Sequence, residues 1–256
     1  MANISAVVLS KNEENNIVDC LESIEWVDEV IVVDDNSSDR TAELAKRAGA
    51  IVYKRSLNGD FASQRNFALR QAQGNWVLFV DADERVSEAL ASEIKNQIPA
   101  SPTDRSKIKN NYDGYFIKRK DFMWGKELKH GETGNIKLLR LAKKNSGKWE
   151  GKVHEEWKVK GNIGQLKNSL FHYPHQSITE FLGEINFYTN IKAKELYEKG
   201  VRVNLVSIIA YPKAKFFLNY FLRRGFFDGI PGFLVAIFMS FHSFLVRGKL
   251  WQLQQK

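Results

Sequence analysis

The eight residues Val77–Glu84, VLFVDADE, constrain this chain more than any other stretch. A short apolar run that follows Gly74 and ends in a polar cluster reads as a buried strand. Asp81 and Asp83 have no place in the apolar core of such a strand. They mark its carboxyl end, the edge at which open α/β sheets hold their ligands. Two carboxylates one residue apart suit a hard divalent cation, Mg²⁺ or Mn²⁺, that can also take diphosphate oxygens. Taken alone, the tripeptide is equally consistent with cap and loop carboxylates ahead of a helix starting near Ser87. The upstream sequence tips the balance.

Residues 4–10 (ISAVVLS) and 29–34 (EVIVVD) read as buried strands, each followed by a polar exit, Lys11–Glu14 and Asp35–Asp39. Between and after them, Ile17, Val18, Leu21 and Ile24 recur at helical spacing. Ala42, Ala45 and Ala48 form a small-residue helical face that Ser37 or Ser38 could cap and Gly49 would end. Ala50–Tyr53 reads as a third strand, Phe61–Gln73 as a helix stopped by Gly74, and Asn75–Val80 as the fourth strand. Strands alternating with helices at this spacing predict βαβ units and a mostly parallel sheet. Three polar loops then share one edge, where a nucleotide-sized cleft is expected. Neither a Gly-x-Gly-x-x-Gly fingerprint nor a Walker A loop is present, so phosphate charge would need a metal.

After Ile98 the texture changes. Pro99–Asn111 is a polar loop; Tyr112–Lys118 and Ile136–Leu141 read as strands of a more antiparallel half, with Asp121–Gly134 as a loop between them. His154 and Glu155 follow a short strand. Ser177 and Glu180 open a helix that Gly200 ends, and two further helical stretches are broken around Arg224–Gly232. The expected division is 1–175, with a donor half 1–98 and an acceptor half 99–175, and a helical extension 176–256. At 256 residues the chain can hold such an arrangement, and its lone Cys20 fits a reducing compartment. No basic-then-apolar leader precedes the first strand. From Arg202 to Lys256, eight Lys or Arg stand against one acidic residue, a local +7 within a net charge of +8, alongside twelve aromatic residues. Basic, aromatic and apolar together point to an anionic membrane surface rather than nucleic acid.

Four segments, Ser10-Lys11-Asn12-Glu13, Val33–Thr41 (VDDNSSDRT), Gln64–Ala68 (QRNFA) and Val80–Glu84 (VDADE), occur in an order that resembles glycosyltransferase family 2. The family pattern has Gly where Asn36 stands, and Asn tolerates the same left-handed backbone. The Val-His-Glu segment at 153–155 and the Phe-x-Asp-Gly-x-x-Gly-Phe segment at 226–233 resemble, more narrowly, bacterial lipopolysaccharide-core glucosyltransferases. The resemblance implies a GT-A nucleotide-sugar fold and inverting transfer of a hexose. The donor would be UDP-glucose and the acceptor a lipid-linked inner-core saccharide. It implies donor binding by Asn12, Glu13, Asp35, Arg65 and Asp81, with Asp83 the principal metal ligand. Glu155 is the expected base, with His154 orienting it or the substrate and Asp121 and Glu132 as reserves. A third metal ligand among His172 and His175, and an acceptor or diphosphate contact from Arg140 rather than a plain edge-strand role, are further expectations. The tail would hold the protein on the cytoplasmic face of an inner membrane. Two other classes stay open. A nucleotidyltransferase would carry a Gly-rich loop after the first strand, and Ser10–Asn15 has no glycine. A non-catalytic binding protein would not need the carboxylates, all of which are present.

Overall fold

The computed structural model describes residues 4–98, 112–152, 155–174 and 177–255. These residues form two compact units. The first comprises Met1–Arg119 and Ile136–His172, the second Lys120–Asn135 and Tyr173–Lys256. The segment 120–135, which the sequence reading places in the acceptor half, therefore groups with the C-terminal helices.

The first unit begins as three βα steps: β1 (Ile4–Ser10), α1 (Ile17–Glu22), β2 (Glu29–Asp34), α2 (Thr41–Arg47), β3 (Ile51–Lys54) and α3 (Phe61–Gln71). Then come β4 (Trp76–Asp81), the short β5 (Glu84–Val86) and α4 (Glu88–Gln97). The more antiparallel part supplies β6 (Gly114–Met123), β8 (Ile136–Lys143), β9 (Gly147–Glu150), β10 (Glu156–Val159) and β11 (Ile163–His172). Between β6 and β8 lies β7 (Lys126–Leu128), which pairs with the end of β6. The main sheet has the order β3-β2-β1-β4-β8-β6-β11-β5. Its first four strands are parallel, and β8 runs antiparallel to β4. This is the expected mixed, mostly parallel GT-A-type arrangement.

The apolar runs are continuous because the sheet is covered on both faces. Ile4, Ala6 and Val8 of β1 face the core shared with Ile17, Leu21, Leu90 and Ile94. Val7 points the other way, into a second core with Ala68, Leu69, Trp149 and Trp157. In β4, Leu78 and Val80 join the first core and Val77 and Phe79 the second. Phe79 is wholly buried and meets Trp149 and Trp157 edge-on, at ring separations of 5.0 and 5.1 Å. The β9–β10 hairpin is thus fastened under the sheet by aromatic packing.

Several local expectations need correction. Helix α2 is preceded by Arg40 rather than capped by Ser37 or Ser38; the Asp39 carboxylate instead accepts the Thr41 N–H at 3.0 Å. Helix α3 ends at Gln71, short of Gly74, and is capped at its start by Asp60, whose side chain accepts from Ser63 N. Gly74 serves another purpose: a Cβ there would lie 2.6 Å from the Ser5 nitrogen, so the chain can pass β1 only as glycine. The segment 121–134 is only partly loop. β6 continues to Met123 and turns into β7 through Trp124 and Gly125, both at positive φ (50° and 78°). Both central residues of a type I′ hairpin turn adopt that conformation.

The second unit contains α5 (Ile178–Glu198), α6 (Leu205–Phe217) and α7 (Gly229–Gln254). Ser177 caps α5 by accepting the Glu180 N–H at 3.1 Å. Phe181, Ile185, Thr189 and Ala193 of α5, spaced by four, are its buried face. Met123, Leu128, Phe181, Ile185 and Val235 form the unit's core. A π-helical turn (Leu218–Leu222) and a 3₁₀ turn (Gly225–Asp228) join α6 to α7. Asp228 of the Phe-x-Asp-Gly-x-x-Gly-Phe segment is buried. Its carboxylate accepts from Lys129 N at 3.1 Å and His130 N at 2.8 Å, and lies 2.9 Å from His130 Nδ1. That segment is a structural anchor: Gly232 packs so closely on the Gly225 carbonyl that no side chain fits.

Candidate active site

The carboxyl ends of β1, β2 and β4 bring the polar exits together, as parallel strands require. The first two are laced side chain to backbone. Asn12 N–H donates to Ser37 Oγ (2.9 Å) and Ser38 N–H to Asn12 Oδ1 (2.9 Å). Glu13 N–H donates to Thr41 Oγ1 (2.7 Å), and the Glu13 carboxylate accepts from Asn16 Nδ2 (2.8 Å). Asn12 and Asn36 both take positive φ, 54° and 51°, so the asparagine at 36 adopts the left-handed geometry that glycine would otherwise supply. Asp35 accepts Lys11 Nζ at 2.7 Å and Leu57 N–H at 2.8 Å, which ties the β1, β2 and β3 exits into one rim. Lys11 itself is largely exposed.

At the end of β4 a buried ion cluster is built on Arg65 and Arg140, each only 6% exposed in its side chain. Arg65 Nη2 donates to Asp81 Oδ1 (2.9 Å), and Arg65 Nε to Glu155 Oε1 (2.7 Å). Arg140, on β8, donates through both terminal nitrogens to Asp81 and reaches Glu84 Oε1 at 3.3 Å. Glu84 Oε2 in turn accepts the Asp81 N–H at 2.9 Å. The guanidinium of Arg65 lies 4.7 Å from the Trp149 ring centre and 5.6 Å from that of Phe79, so the aromatic floor offsets part of its lost hydration. Flanking residues of the Gln64-Arg65-Asn66 segment hold it there. Gln64 Nε2 donates to the Arg55 carbonyl (2.7 Å), and Asn66 pairs with both the N–H (2.9 Å) and the C=O (2.8 Å) of Trp149.

Charge in this cluster follows its partners. Burial opposes ionisation of Asp81, but Arg140 and Arg65 outweigh it and hold its carboxyl far below the usual carboxylate range. Burial likewise opposes the charge on Arg140, and Asp81 and Glu84 override it, raising its pKa. Glu84 is wholly enclosed, and there burial wins: its pKa is raised. Burial also works against Asp83, but His172, whose Nε2 lies 3.1 Å from Asp83 Oδ2, holds that carboxyl below its ordinary value.

The structure therefore gathers Arg65, Asp81 and Glu155 in one cluster, and sets Asn12, Glu13 and Asp35 along the rim. Asp81, expected to share a cation with Asp83, is engaged by two arginines. Asp83 faces His172 instead. His154 and His175 lie outside the described residues. Asp121 and Glu132 belong to the second unit, where Glu132 accepts Lys215 Nζ at 2.6 Å. Among the described residues, no three His, Cys, Asp or Glu side chains gather as a metal-binding set. One carboxylate and one imidazole nitrogen, both partly buried, nonetheless fit a divalent cation that completes its shell with phosphate oxygens and water. Arg140 and Glu84 carry more of the site than sequence reasoning assigned them. The available signal was an arginine within the apolar strand LLRLA.

The profile of glycosyl transferase family 2 matches residues 5–148, from β1 through β8. The chain is 30% identical to an uncharacterized glycosyltransferase of Rickettsia typhi, covering 100% of this chain and 89% of that protein. It is 29% identical to the lipopolysaccharide core biosynthesis glycosyltransferase LpsC of Rhizobium meliloti, over 97% of this chain and 92% of LpsC. Among solved structures, it resembles mannosyl-3-phosphoglycerate synthase from Rubrobacter xylanophilus at 18% identity and a TM-score of 0.48, covering 80% and 77% of the two chains. Three motif loops converge on one sheet edge, the fourth motif sends Arg65 to it from α3, and the family profile runs through every strand that builds that edge. The chain belongs to glycosyltransferase family 2 and is a glycosyltransferase.

Proposed function

We propose that this enzyme transfers a hexose, glucose in the first instance, from a nucleoside diphosphate sugar to a saccharide hydroxyl of the lipopolysaccharide inner core. The transfer is a metal-assisted displacement with inversion. The observation that carries the donor half is the Asp83–His172 pair beside the Arg65–Arg140 cluster. The acceptor class is supported by similarity to LpsC along nearly the whole chain.

Asn12, Glu13 and Asp35 flank the nucleoside, and Lys11 lies over the rim. Arg65 keeps Nη1 without a protein partner among the described residues, a buried donor suited to a phosphate oxygen. Asp81 remains with its two arginines and orients them. Asp83 and His172 would hold Mg²⁺ or Mn²⁺, which when bound neutralises charge on the departing diphosphate. Glu155, with Oε1 committed to Arg65, takes the acceptor proton at Oε2, and His154 orients the base or the substrate. The enzyme works on the cytoplasmic face of an inner membrane, where it shares a surface with a lipid-linked acceptor.

The test is nucleoside diphosphate release from UDP-glucose with core saccharide as acceptor, and mass measurement of the product. A gain of one hexose, lost in Asp83→Ala and in excess chelator, is expected. Unchanged turnover in excess chelator rejects the metal. A product bearing another sugar rejects glucose.

A further inference from the structure

Among the described residues, 24 large apolar side chains are exposed, and fifteen of them lie between Leu205 and Trp251. Helix α6 has no buried residue, though most of its side chains are apolar. On α7 the exposed Phe233, Ile237, Phe241 and Phe244 recur at helical spacing. Val235, Ala236, Val246 and Leu250 are among its buried residues. The helix is therefore apolar on its outward side as well as its inward one, the reverse of a water-facing surface helix.

The densest exposure is at the turn between α6 and α7. Phe217, Phe221, Phe226, Phe227, Ile230 and Phe233 are all exposed, Ile230 by 75%. Phe216 and Tyr220 bridge the rings into one contiguous patch, with centroids 5.2 to 6.2 Å apart for Phe217–Phe221, Tyr220–Phe226 and Tyr220–Phe233. Arg223 and Arg224 are exposed in the middle of this patch, and Lys213 is exposed on α6. The segment's one carboxylate, Asp228, is buried against His130 and Lys129. The exposed surface of the turn is thus aromatic and cationic, and the neighbouring Glu132 is already engaged by Lys215 Nζ and Asn219 Nδ2. A second copy would set this positive face against itself. An anionic headgroup layer complements both its charge and its apolar rings.

Helix α7 with its preceding turn, Gly225–Gln254, is long and apolar enough to cross a membrane. Its packing argues against that course. The helix lies along α5, with Phe238 5.1 Å from Phe181 and, about three turns further along α7, Lys249 Nζ 2.7 Å from Thr189 Oγ1. Between those contacts α5 carries Glu184, and beside the last turns of α7 it carries Lys192, Lys194, Glu195 and Glu198, the Lys192–Glu195 pair at 2.9 Å. A crossing α7 would draw this charged helix into hydrocarbon.

Building on the peripheral location in the proposed function, we infer that the α6–α7 hairpin lies in the plane of an anionic bilayer surface. Its aromatic turn is the wedge that enters the headgroup boundary. Full-length protein should co-sediment with vesicles of phosphatidylglycerol and phosphatidylcholine, and much less with phosphatidylcholine alone. The triple variant Phe217→Ser, Phe221→Ser, Phe227→Ser removes only exposed rings. It should weaken partition by at least about tenfold, as expected when buried apolar area is lost, with thermal unfolding unchanged. Arg223→Gln with Arg224→Gln should reduce the salt-sensitive part. A C-terminal epitope tag should be open to protease in inverted inner-membrane vesicles and protected in spheroplasts. A triple variant that partitions like the parent overturns the wedge while leaving the peripheral location standing. No binding of the full-length protein to anionic vesicles overturns both. Cleavage of the tag in spheroplasts means that α7 crosses, and a stable dimer that masks the turn assigns the face to a second copy; either result overturns the inference.

Discussion

Arg140→Met isolates what the buried cluster contributes to the fold. Methionine keeps much of the length and apolar stem of the arginine but removes the cation. Asp81 then keeps Arg65 and is partly exposed, so water can solvate it. Glu84 is different: its side chain is fully enclosed, and with Arg140 gone it keeps the Asp81 N–H and only the weaker fields of His172 and Arg119. Removing one partner from a buried pair typically costs about 3–5 kcal/mol, because the stranded charge has no solvent. For a chain of this size each kcal/mol lowers the melting temperature by roughly 2 °C, so a fall of about 6–10 °C is expected. The stranded carboxylate is the cause, so Glu84→Gln added to Arg140→Met should recover about half of the loss or more. The amide oxygen that replaces the carboxylate would still accept the Asp81 N–H. Thermal unfolding of the parent, the single variant and the double variant decides the matter. A single variant within about 1 °C of the parent, or a double variant that melts no higher than the single, would refute the reasoning.

Three further outcomes follow from contacts in the first unit and from α5. Glu155→Gln keeps shape and loses basicity, so transfer should fall by about 10²–10⁴-fold while UDP binding by calorimetry persists; normal transfer means that Glu155 is not the base. Asn66→Ala removes both hydrogen bonds to the Trp149 backbone, at about 1–3 kcal/mol in denaturant unfolding. Glu195 on α5 is brought down to about 2, first by its bond from Lys199 and then by that from Lys192. Because the folded value lies below the unfolded one, the stabilisation is present above the ordinary value of about 4.5 and is lost as pH falls toward 2. A carbon-detected NMR titration of Glu195 should show that low midpoint, and a midpoint above about 4 would remove the bonded geometry.

Much of the first unit is readable because its signals are local. Ile4–Ser10, Glu29–Asp34 and Trp76–Asp81 are apolar runs long enough to be strands and closed by polar residues. Such runs become parallel strands when helices cover both faces. The same alternation places Asn12, Asp35 and Asp81 at one edge, since parallel strands all end on the same side. Asn36 standing for glycine foretells a left-handed residue, and φ is 51°. Ser177 followed by Glu180 foretells the start of α5.

What the sequence could not decide is partnership between distant residues. Arg65 and Glu155 lie 90 positions apart, Asp81 and Arg140 59, and Asp83 and His172 89. Only the tertiary fold brings them into contact, and the outcome depends on which neighbour arrives. The two aspartates of Asp81-Ala82-Asp83 look equivalent in the sequence. They part company because β8 delivers an arginine to one and β11 a histidine to the other. The hairpin at Trp124–Gly125 escaped notice for a similar reason, as its turn lacks the Asn-Gly signature and is held by the pairing of β6 with β7. In the tail, composition alone announces basic and aromatic residues. Which rings face outward, and that α7 lies along a charged helix, is decided by packing, because an all-apolar helix does not by itself say which side is its inside.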